Sequence, residues 1–249
     1  MGFSLGVVML NTRFPRLPGD IGNPDSFPFP VVYRRVEAAT VEAVVREGAV
    51  VAEAAEGLIE AVGALAREDE VSLIATSCGF LGGLQTQLQQ AVEVPVLASA
   101  FALLPLLRQV YGETAVLGVL TFDARCLTPA HFGPWHDPEQ DPEILIEGIE
   151  AGAELHRVIA EDRLELNRDR AEADVLAAGA RLLERRADLA AILLECTNLS
   201  PYRAALAERT GRPVYDLNQA IGWMAAGMAP GVATGVATGL APGLAGGTA

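Results

Sequence analysis

The chain of 249 residues contains no lysine, and all 18 of its basic residues are arginine. Pyridoxal phosphate is held in enzymes through a Schiff base with a lysine side chain. That covalent form is therefore excluded here. Any carbanion chemistry in this protein must proceed without that electron sink.

Cysteine is also scarce, since only Cys78, Cys126 and Cys196 occur in the chain. Three cysteines in a chain of this length do not form a disulfide framework. No CxxC pair is present, and the three histidines lack the spacing of metal ligands. We therefore expect reduced thiols, a cytoplasmic location and no metal site.

Positive charge is in short supply, because 18 basic residues face 32 acidic ones and the formal net charge is −14. This charge repels phosphate backbones and anionic membranes, so we expect no nucleic-acid or membrane partner. No run of 18 apolar residues occurs, which argues against a membrane span. The apolar segment 1–10 lacks a basic start and a cleavage signal, so it is expected to form a first strand rather than a signal peptide.

What the chain does contain is a regular alternation of short apolar runs and longer helical patterns. Strands that are apolar on both faces and separated by helices are typical of a parallel sheet covered on both sides. Ligands bind at the carboxyl ends of such strands. The predicted strands cover 4–10, 31–36, 71–76, 94–98, 115–121, 143–148, 190–195 and 213–215. The predicted helices cover 49–67, 80–91, 100–111, 124–130, 151–186, 199–210 and 217–228.

The order of these elements repeats, which predicts an α/β fold of two similar lobes. Each lobe is expected to hold a parallel-rich sheet flanked by helices. We expect a pseudo-twofold axis between the lobes and an active site in the cleft that separates them. The predicted first lobe comprises 1–98 and 212–228, and the predicted second lobe comprises 99–211. The Gly-, Ala- and Pro-rich segment 229–249 is predicted to be a flexible tail.

Cys78 and Cys196 are the residues that point to chemistry. Each follows a short apolar run and comes before a predicted helix. A helix N-terminus lowers the pKa of a thiol and so favours the thiolate as a base or nucleophile. A single buried cysteine is often just a small apolar residue, as we expect for Cys126. The matched positions in the two halves favour a thiol on each side of one site.

Short polar side chains, Thr76, Ser77, Thr197 and Asn198, flank the two thiols. Together with backbone N–H groups they can bind a carboxylate without formal positive charge. The alternative is that these residues only cap the following helices.

The loop 11–24 is rich in Pro and Gly, which predicts a shaped turn at the ligand edge of the first sheet. It supplies Asp20 and Asn23 as candidates for the other end of a substrate. Asp20 would bind a substrate cation or orient a thiol. The alternative is that both residues serve ordinary turn chemistry.

The two cysteine segments resemble a known family. Thr76-Ser77-Cys78 and Glu195-Cys196-Thr197-Asn198 are similar to the motifs of the aspartate/glutamate/hydantoin racemase superfamily, and the resemblance covers roughly residues 1–228. It implies two α/β lobes, no cofactor, and one cysteine on each face of a small carboxylate substrate. It further implies a two-base mechanism and a homodimer or larger homo-oligomer.

Residue by residue, the resemblance carries over in part. Cys78 and Cys196 match the paired catalytic positions, and Thr197 matches a threonine that contacts the substrate carboxylate. Gly79 and Phe80 stand where amino-acid racemases of this group have Asn-Thr. Asn198 replaces the histidine of glutamate racemases. These departures question glutamate or aspartate specificity, and Phe80 indicates a less polar pocket.

Three functions stay open on this evidence. The first is a racemase or epimerase of a small amino acid or related carboxylate, placed first because racemization is the commonest outcome in the superfamily. The second is a lyase similar to dimethylsulfoniopropionate lyases, or a decarboxylase, that uses the same thiols. The third is a two-lobed protein that binds a small molecule without catalysis.

Overall fold

The computed structural model describes residues 2–137 and 144–228. The strands in these ranges are Leu5–Leu10 (β1), Val31–Val36 (β2), Leu73–Thr76 (β3), Val96–Leu97 (β4), Leu117–Thr121 (β5), Ile144–Gly148 (β6), Ala191–Leu194 (β7) and Val214–Tyr215 (β8). The α-helices are Val41–Val44 (α1), Ala52–Glu68 (α2), Gln85–Gln90 (α3), Leu104–Tyr111 (α4), Leu155–Ala160 (α5), Arg168–Arg185 (α6), Arg203–Thr210 (α7) and Leu217–Met228 (α8). Short 3-10 helices cover Pro24–Ser26, Gly79–Leu84, Ala100–Leu103, Pro129–Trp135 and Thr197–Tyr202.

The strands form two parallel four-stranded sheets with the same order of strands. The first sheet runs β2-β1-β3-β4 and the second runs β6-β5-β7-β8. Every residue of the central strands β1 and β5 is buried, because helices and the other sheet cover both faces. The prediction of an α/β fold with two similar lobes is confirmed, and each predicted strand is found.

Each sheet uses one face for its own helices and the other for a core shared by both lobes. Side chains alternate along β1, so Val7 joins the shared core while Val8 packs towards α2. In the second lobe Leu120 and Ile192 pack with residues of α6. The shared core joins the two sheets, which holds the strand ends of both lobes beside each other.

Two helix predictions were wrong in their extent. No α-helix covers 124–130: Asp123 accepts hydrogen bonds from the backbone and guanidinium of Arg125 and forms a turn, and a 3-10 helix begins only at Pro129. The predicted helical region 151–186 is divided into α5 and α6. Between them Asp162 adopts a left-handed backbone with φ of 49°, and Asn167 caps the start of α6.

One part of the predicted lobe boundary needs correction. β8 pairs in parallel with β7, so residues 214–215 belong to the second sheet rather than to the first lobe. The physical reason is that the short helix α7 returns the chain directly to the free edge of β7. α8 then adds Leu217 and Ile221 to the core shared by both sheets.

The predicted tail 229–249 lies outside the described residues. Among residues 2–137 and 144–228, no helix combines the length and the apolar character needed to cross a membrane. No three His, Cys, Asp or Glu side chains of these ranges are grouped as metal ligands.

Candidate active site

Cys78 and Cys196 line one cavity between the two lobes. Cys78 lies just beyond β3, and Cys196 lies just beyond β7 after Glu195. Each cysteine directly precedes a 3-10 helix, and each is 8% exposed. Since β3 and β7 hold equivalent places in their sheets, the equivalent strand ends bring both thiols to the same cavity.

The cavity is narrow and mostly apolar. The space between its walls is about 350 Å³ when the part open to solvent is included. Three phenylalanine rings, Phe14, Phe80 and Phe122, contribute to its wall. The charged side chains that line it are Arg16 and Glu195. A small molecule bound here would be largely removed from water, which strengthens its electrostatic contacts with these two groups.

The thiols do not have the lowered pKa that the sequence led us to expect. Burial and then the nearby Glu195 carboxyl raise the pKa of Cys78, and the backbone N–H of Phe80 opposes this without compensating for it. Burial and Glu195 also raise the pKa of Cys196 against the N–H of Asn198. Both thiols are therefore protonated at neutral pH in this structure. The short 3-10 helices that follow them offset too little of the cost of burial.

A chain of hydrogen bonds connects Arg16 to Cys196. The Arg16 guanidinium donates to Asp20 over 3.2 Å and to the Thr12 hydroxyl over 2.9 Å. The Asn198 amide donates to the other oxygen of Asp20 over 2.6 Å. The Cys196 thiol donates to the Asn198 Oδ1 over 3.5 Å. Asp20 thus orients both Arg16 and Asn198, rather than reaching the cavity wall itself.

Sequence reasoning did not single out Arg16 as a site residue. Its side chain is 11% exposed, and its guanidinium carbon lies 4.3 Å from the centre of the Phe14 ring. A guanidinium at a mostly apolar cavity is well suited to bind a substrate carboxylate. The sequence feature that could have identified Arg16 is its place four residues before Asp20, in a loop rich in Pro and Gly.

The other predicted binding residues divide into two groups. Ser77, Phe80 and Asn198 line the cavity with the thiols. The Thr76 hydroxyl instead donates to the carbonyl of Ala98 over 2.6 Å.

Asn23 also lies away from the cavity. Its amide donates to the carbonyl of Arg16, and its Oδ1 accepts from the backbone of Asp25. Asn23 therefore shapes the loop that carries Arg16 and caps a short 3-10 helix.

Thr197 and Gly79 hold the two cysteine turns together. The Thr197 hydroxyl donates to the carbonyl of Ser77 over 2.8 Å, which is a direct link between the lobes. Gly79 packs against the side chain and carbonyl of Glu195, where a Cβ atom would collide with the carboxyl group. A glycine at position 79 therefore leaves the space that Glu195 occupies.

Glu195 is the second site residue that sequence reasoning missed. It is completely buried, and its Oε2 accepts a hydrogen bond of 2.7 Å from the Thr121 hydroxyl. Burial raises the pKa of this carboxyl to about 7. The sequence feature that could have identified Glu195 is its charge at the end of an otherwise apolar strand, directly before Cys196.

No family model matches the chain. The dimethylsulfoniopropionate lyase of Durusdinium sp. clade D is 31% identical over 216 residues, which are 86% of this chain and 71% of that protein. Dimethylsulfoniopropionate lyase 7 of Emiliania huxleyi is 29% identical over 220 residues, 86% of this chain. The match spans 63% of that second relative, less than two thirds of its length.

Solved structures of similar fold include a decarboxylase and two racemases. Unliganded arylmalonate decarboxylase matches with a TM-score of 0.58 and 17% identity, over 93% of this chain and 94% of that chain. Allantoin racemase from Klebsiella pneumoniae matches with a TM-score of 0.58 and 18% identity, over 92% and 90%. Glutamate racemase from Francisella tularensis matches with a TM-score of 0.53 and 14% identity, over 87% and 77%. At these identities the likeness concerns the fold.

Proposed function

Because the chain belongs to the aspartate/glutamate/hydantoin racemase superfamily, in the branch of the dimethylsulfoniopropionate lyases, we propose that it is a cofactor-independent lyase. In this proposal a cysteine removes a proton beside a substrate carboxylate, and a leaving group departs from the next carbon. The first substrate to consider is dimethylsulfoniopropionate, after which the sequence relatives are named.

The observation that carries this proposal is the composition of one cavity. Two thiols face the same space as the Arg16 guanidinium and the rings of Phe80 and Phe122. Arg16 suits the carboxylate of the substrate. The aromatic rings suit a sulfonium group, since a cation without hydrogen-bond donors is attracted to the face of a ring.

The proposed reaction balances as a simple elimination. A thiolate takes the proton from the carbon next to the carboxylate and becomes a thiol. The electron pair of the broken C–H bond forms the carbon–carbon double bond, and the pair of the C–S bond leaves with sulfur. The products from dimethylsulfoniopropionate are dimethyl sulfide and acrylate. Arg16 stabilises the negative charge that develops on the carboxylate side.

The sulfonium charge also answers the question of how a buried thiol ionises. A positive charge near a thiol favours the thiolate, whereas burial opposes it. A substrate with a sulfonium group therefore brings into the cavity the positive charge that lowers the pKa of Cys78 and Cys196. An uncharged substrate would lack this effect.

A racemase or epimerase is the second candidate, and the pairing of thiols favours it. Inversion of a carbon centre needs a base and an acid on opposite faces, and each lobe supplies one cysteine. We place it after the lyase because the sequence relatives are lyases. A protein that only binds a small molecule is the third candidate.

The deciding experiment supplies dimethylsulfoniopropionate and measures dimethyl sulfide by gas chromatography and acrylate by NMR. Release of both in equal amounts is the expected result. A parallel panel of single enantiomers of amino acids and hydroxy acids in deuterated water tests for inversion. Inversion with deuterium uptake and no sulfide release would favour the racemase. Neither activity, with ligand binding unchanged in Cys78→Ser and Cys196→Ser, would favour the binding protein.

We also propose a cytoplasmic location and a homodimer or larger homo-oligomer. Light scattering after size-exclusion chromatography tests the oligomer, and a monomeric mass would contradict it.

A further inference from the structure

Glu195 is a buried acid without a positive partner. Its side chain is completely buried, and no arginine or histidine of the described ranges forms an ion pair with it. The Thr121 hydroxyl binds Oε2, while Oε1 has no hydrogen-bond partner. A carboxyl group in such a place is costly as an anion, so its retention calls for a chemical reason.

The position of Glu195 connects it to both thiols. It directly precedes Cys196, and its free Oε1 lies against Gly79, the residue after Cys78. It lines the same cavity as both cysteines. Its negative charge acts on both, since it raises the pKa of Cys78 and of Cys196.

We propose that Glu195 is the proton acceptor for the thiol that acts as base, and that the proton moves to the free Oε1. This inference rests on the proposed function, in which a thiolate removes a proton from the substrate. The immediate products of the transfer are a thiolate and a neutral carboxylic acid. The pair keeps one negative charge throughout, so no new charge is created in the buried site.

The proton balance of a full turnover agrees with this role. The thiolate takes a proton from the substrate and becomes a thiol again, while Glu195 still holds the first proton. Glu195 then releases that proton to solvent, and the starting state returns. Elimination of dimethyl sulfide from dimethylsulfoniopropionate releases one proton for each acrylate formed, which is the proton that Glu195 gives to solvent.

The surroundings of Glu195 predict how activity depends on pH. Burial raises its pKa to about 7 against the opposing hydrogen bonds of Thr121 and the Phe122 backbone. The acceptor is the carboxylate, which is present above this pKa and lost as the pH falls through it. We therefore expect kcat/KM to decrease with acid around pH 7.

Other titratable groups near the cavity have partners or roles of their own. Asp20 pairs with Arg16, and Asp123 is held by Arg125 and His156. Helices α1 and α5 contribute only apolar side chains to the cavity. Within the described ranges, the titratable and charged side chains at or beside it, apart from Glu195, are Arg16, Asp20, Cys78, Asp123, His131, His156 and Cys196.

The test compares Glu195→Gln, Thr121→Val and the exposed control Glu208→Gln with the wild type. Glu195→Gln should lower kcat by about 100-fold or more, change KM by less than about threefold, and abolish the acid decrease near pH 7. Thr121→Val should keep Glu195 as acceptor but move the acid decrease to higher pH, because it removes a hydrogen bond that lowers this pKa. Glu208→Gln should match the wild type.

A second readout needs no substrate. The rate of alkylation by iodoacetamide is followed against pH for each cysteine by mass spectrometry. Loss of the Glu195 charge should lower the thiol pKa and speed alkylation of Cys78 and Cys196 above pH 7, while Cys126 serves as the internal control.

The two readouts separate this inference from the proposed function. Wild-type enzyme that releases no sulfide removes the proposed lyase, whereas the alkylation profiles still decide whether Glu195 is coupled to the thiols. A Glu195→Gln variant that keeps its rate within about threefold and its acid decrease would overturn the inference. If that variant does not fold, an unshifted acid decrease in Thr121→Val overturns it equally.

Discussion

The two lobes place different residues directly before their thiols. Ser77 precedes Cys78, and Glu195 precedes Cys196. The backbone at the end of the neighbouring strand acts on both: the N–H of Leu10 donates to the Ser77 hydroxyl, and that of Phe122 acts to lower the pKa of the Glu195 carboxyl. The same backbone plan therefore holds a neutral hydroxyl in one lobe and an ionisable acid in the other.

The lobes differ again in the loop that each extends over the other. Loop 11–23 of the first lobe packs on the 3-10 helix Thr197–Tyr202, where Gly19 lies against Pro201. Segment 122–135 of the second lobe packs on the 3-10 helix Gly79–Leu84, and its His131 ring contacts Phe80 edge-on. The first loop brings Arg16 to the cavity, whereas the second supports it with aromatic packing.

Repetition of the fold provides two equivalent thiols, while the loops make their surroundings unequal. The Cys196 side is polar, with Asn198 and Asp20 in hydrogen-bond contact. The Cys78 side has Phe80 at the matching place. Unequal surroundings suit an elimination, which needs one base, better than a symmetric inversion.

The largest expected effect concerns the thiols themselves. For a lyase, we expect one of Cys78→Ser and Cys196→Ser to lower kcat by about 100-fold or more and the other by about tenfold or less. Cys126→Ser, on the half-buried third cysteine, is the control and should keep full activity. Steady-state kinetics measure this. An equal and complete loss of kcat in both variants would mean that both thiols are needed for the reaction, and would favour the racemase.

The next effect concerns the charge that only the first lobe supplies. Arg16→Met should raise KM by about 30-fold or more, because a charge-assisted pair with a carboxylate contributes about 2 kcal/mol. Arg16→Lys should recover part of this loss, and the exposed control Arg209→Gln should not change KM. An unchanged KM in Arg16→Met would locate the substrate carboxylate elsewhere in the cavity.

Glu195 predicts a difference in stability as well as in activity. In the folded protein the pKa of Glu195 is raised from the ordinary 4.5 to about 7. Its contribution to the free energy of unfolding is therefore fully present below pH 4.5 and is lost as the pH rises through 7. Gln does not ionise, so the Glu195→Gln variant does not lose this stability as the pH rises. Relative to the wild type, Glu195→Gln should gain up to about 3 kcal/mol in unfolding free energy between about pH 4 and pH 8.

Urea unfolding at both pH values measures this change. Glu195→Ser, which copies the residue of the first lobe, should show the same trend. A wild-type stability that stays level over this range would contradict the buried, unpaired acid.

The smallest expected effect concerns the hydrogen bonds by which Asp162 of the second lobe holds loop 11–23. Asp162 accepts hydrogen bonds from the backbone of Arg13 and Phe14 and from the Arg13 guanidinium. Burial acts to raise the pKa of Asp162, but these hydrogen bonds outweigh it and the pKa is lowered. Its contribution is present above the ordinary Asp pKa and lost as the pH falls through the lowered value.

Asp162→Asn should therefore cost about 1 kcal/mol near neutral pH, since the site is partly exposed. The difference from wild type should shrink in acid. Urea unfolding at neutral and acidic pH checks this. Asp188→Asn, which loses an exposed ion pair with Arg186, is the control. If Asp162→Asn lowers the free energy of unfolding no more than the control does, the hydrogen bonds to Asp162 do not stabilise the protein.

Much of the fold and part of the site followed from the sequence. The eight strands were predicted because buried parallel strands appear as short apolar runs between turn signals. The break at Asp162 was not, because the helical pattern continues across 161–167 and only the contacts with Arg13 and Phe14 explain the left-handed residue. β8 was assigned to the wrong lobe because the sequence does not state which sheet edge a short strand joins.

The site was predicted unevenly for a similar reason. Ser77, Phe80 and Asn198 line the cavity beside the thiols, as residues next to strand ends do. Asn23 and Thr76 have the same polar character but bond to backbone groups instead. Arg16 was missed because only the packed structure brings its loop to the thiols. Glu195 was missed although it is next to Cys196 in the sequence, because its burial and its contact with Gly79 of the other lobe exist only after the lobes have packed.

The order of apolar runs, by itself, determined two repeated sheets with a cysteine at the same strand end of each. Hydrophobic burial follows the local pattern of the chain, so this information is present in the sequence. Only the tertiary structure decided the electrostatics of the site. The pKa of a thiol or a carboxyl depends on burial and on charges distant along the chain, and these exist only after the two lobes have packed together.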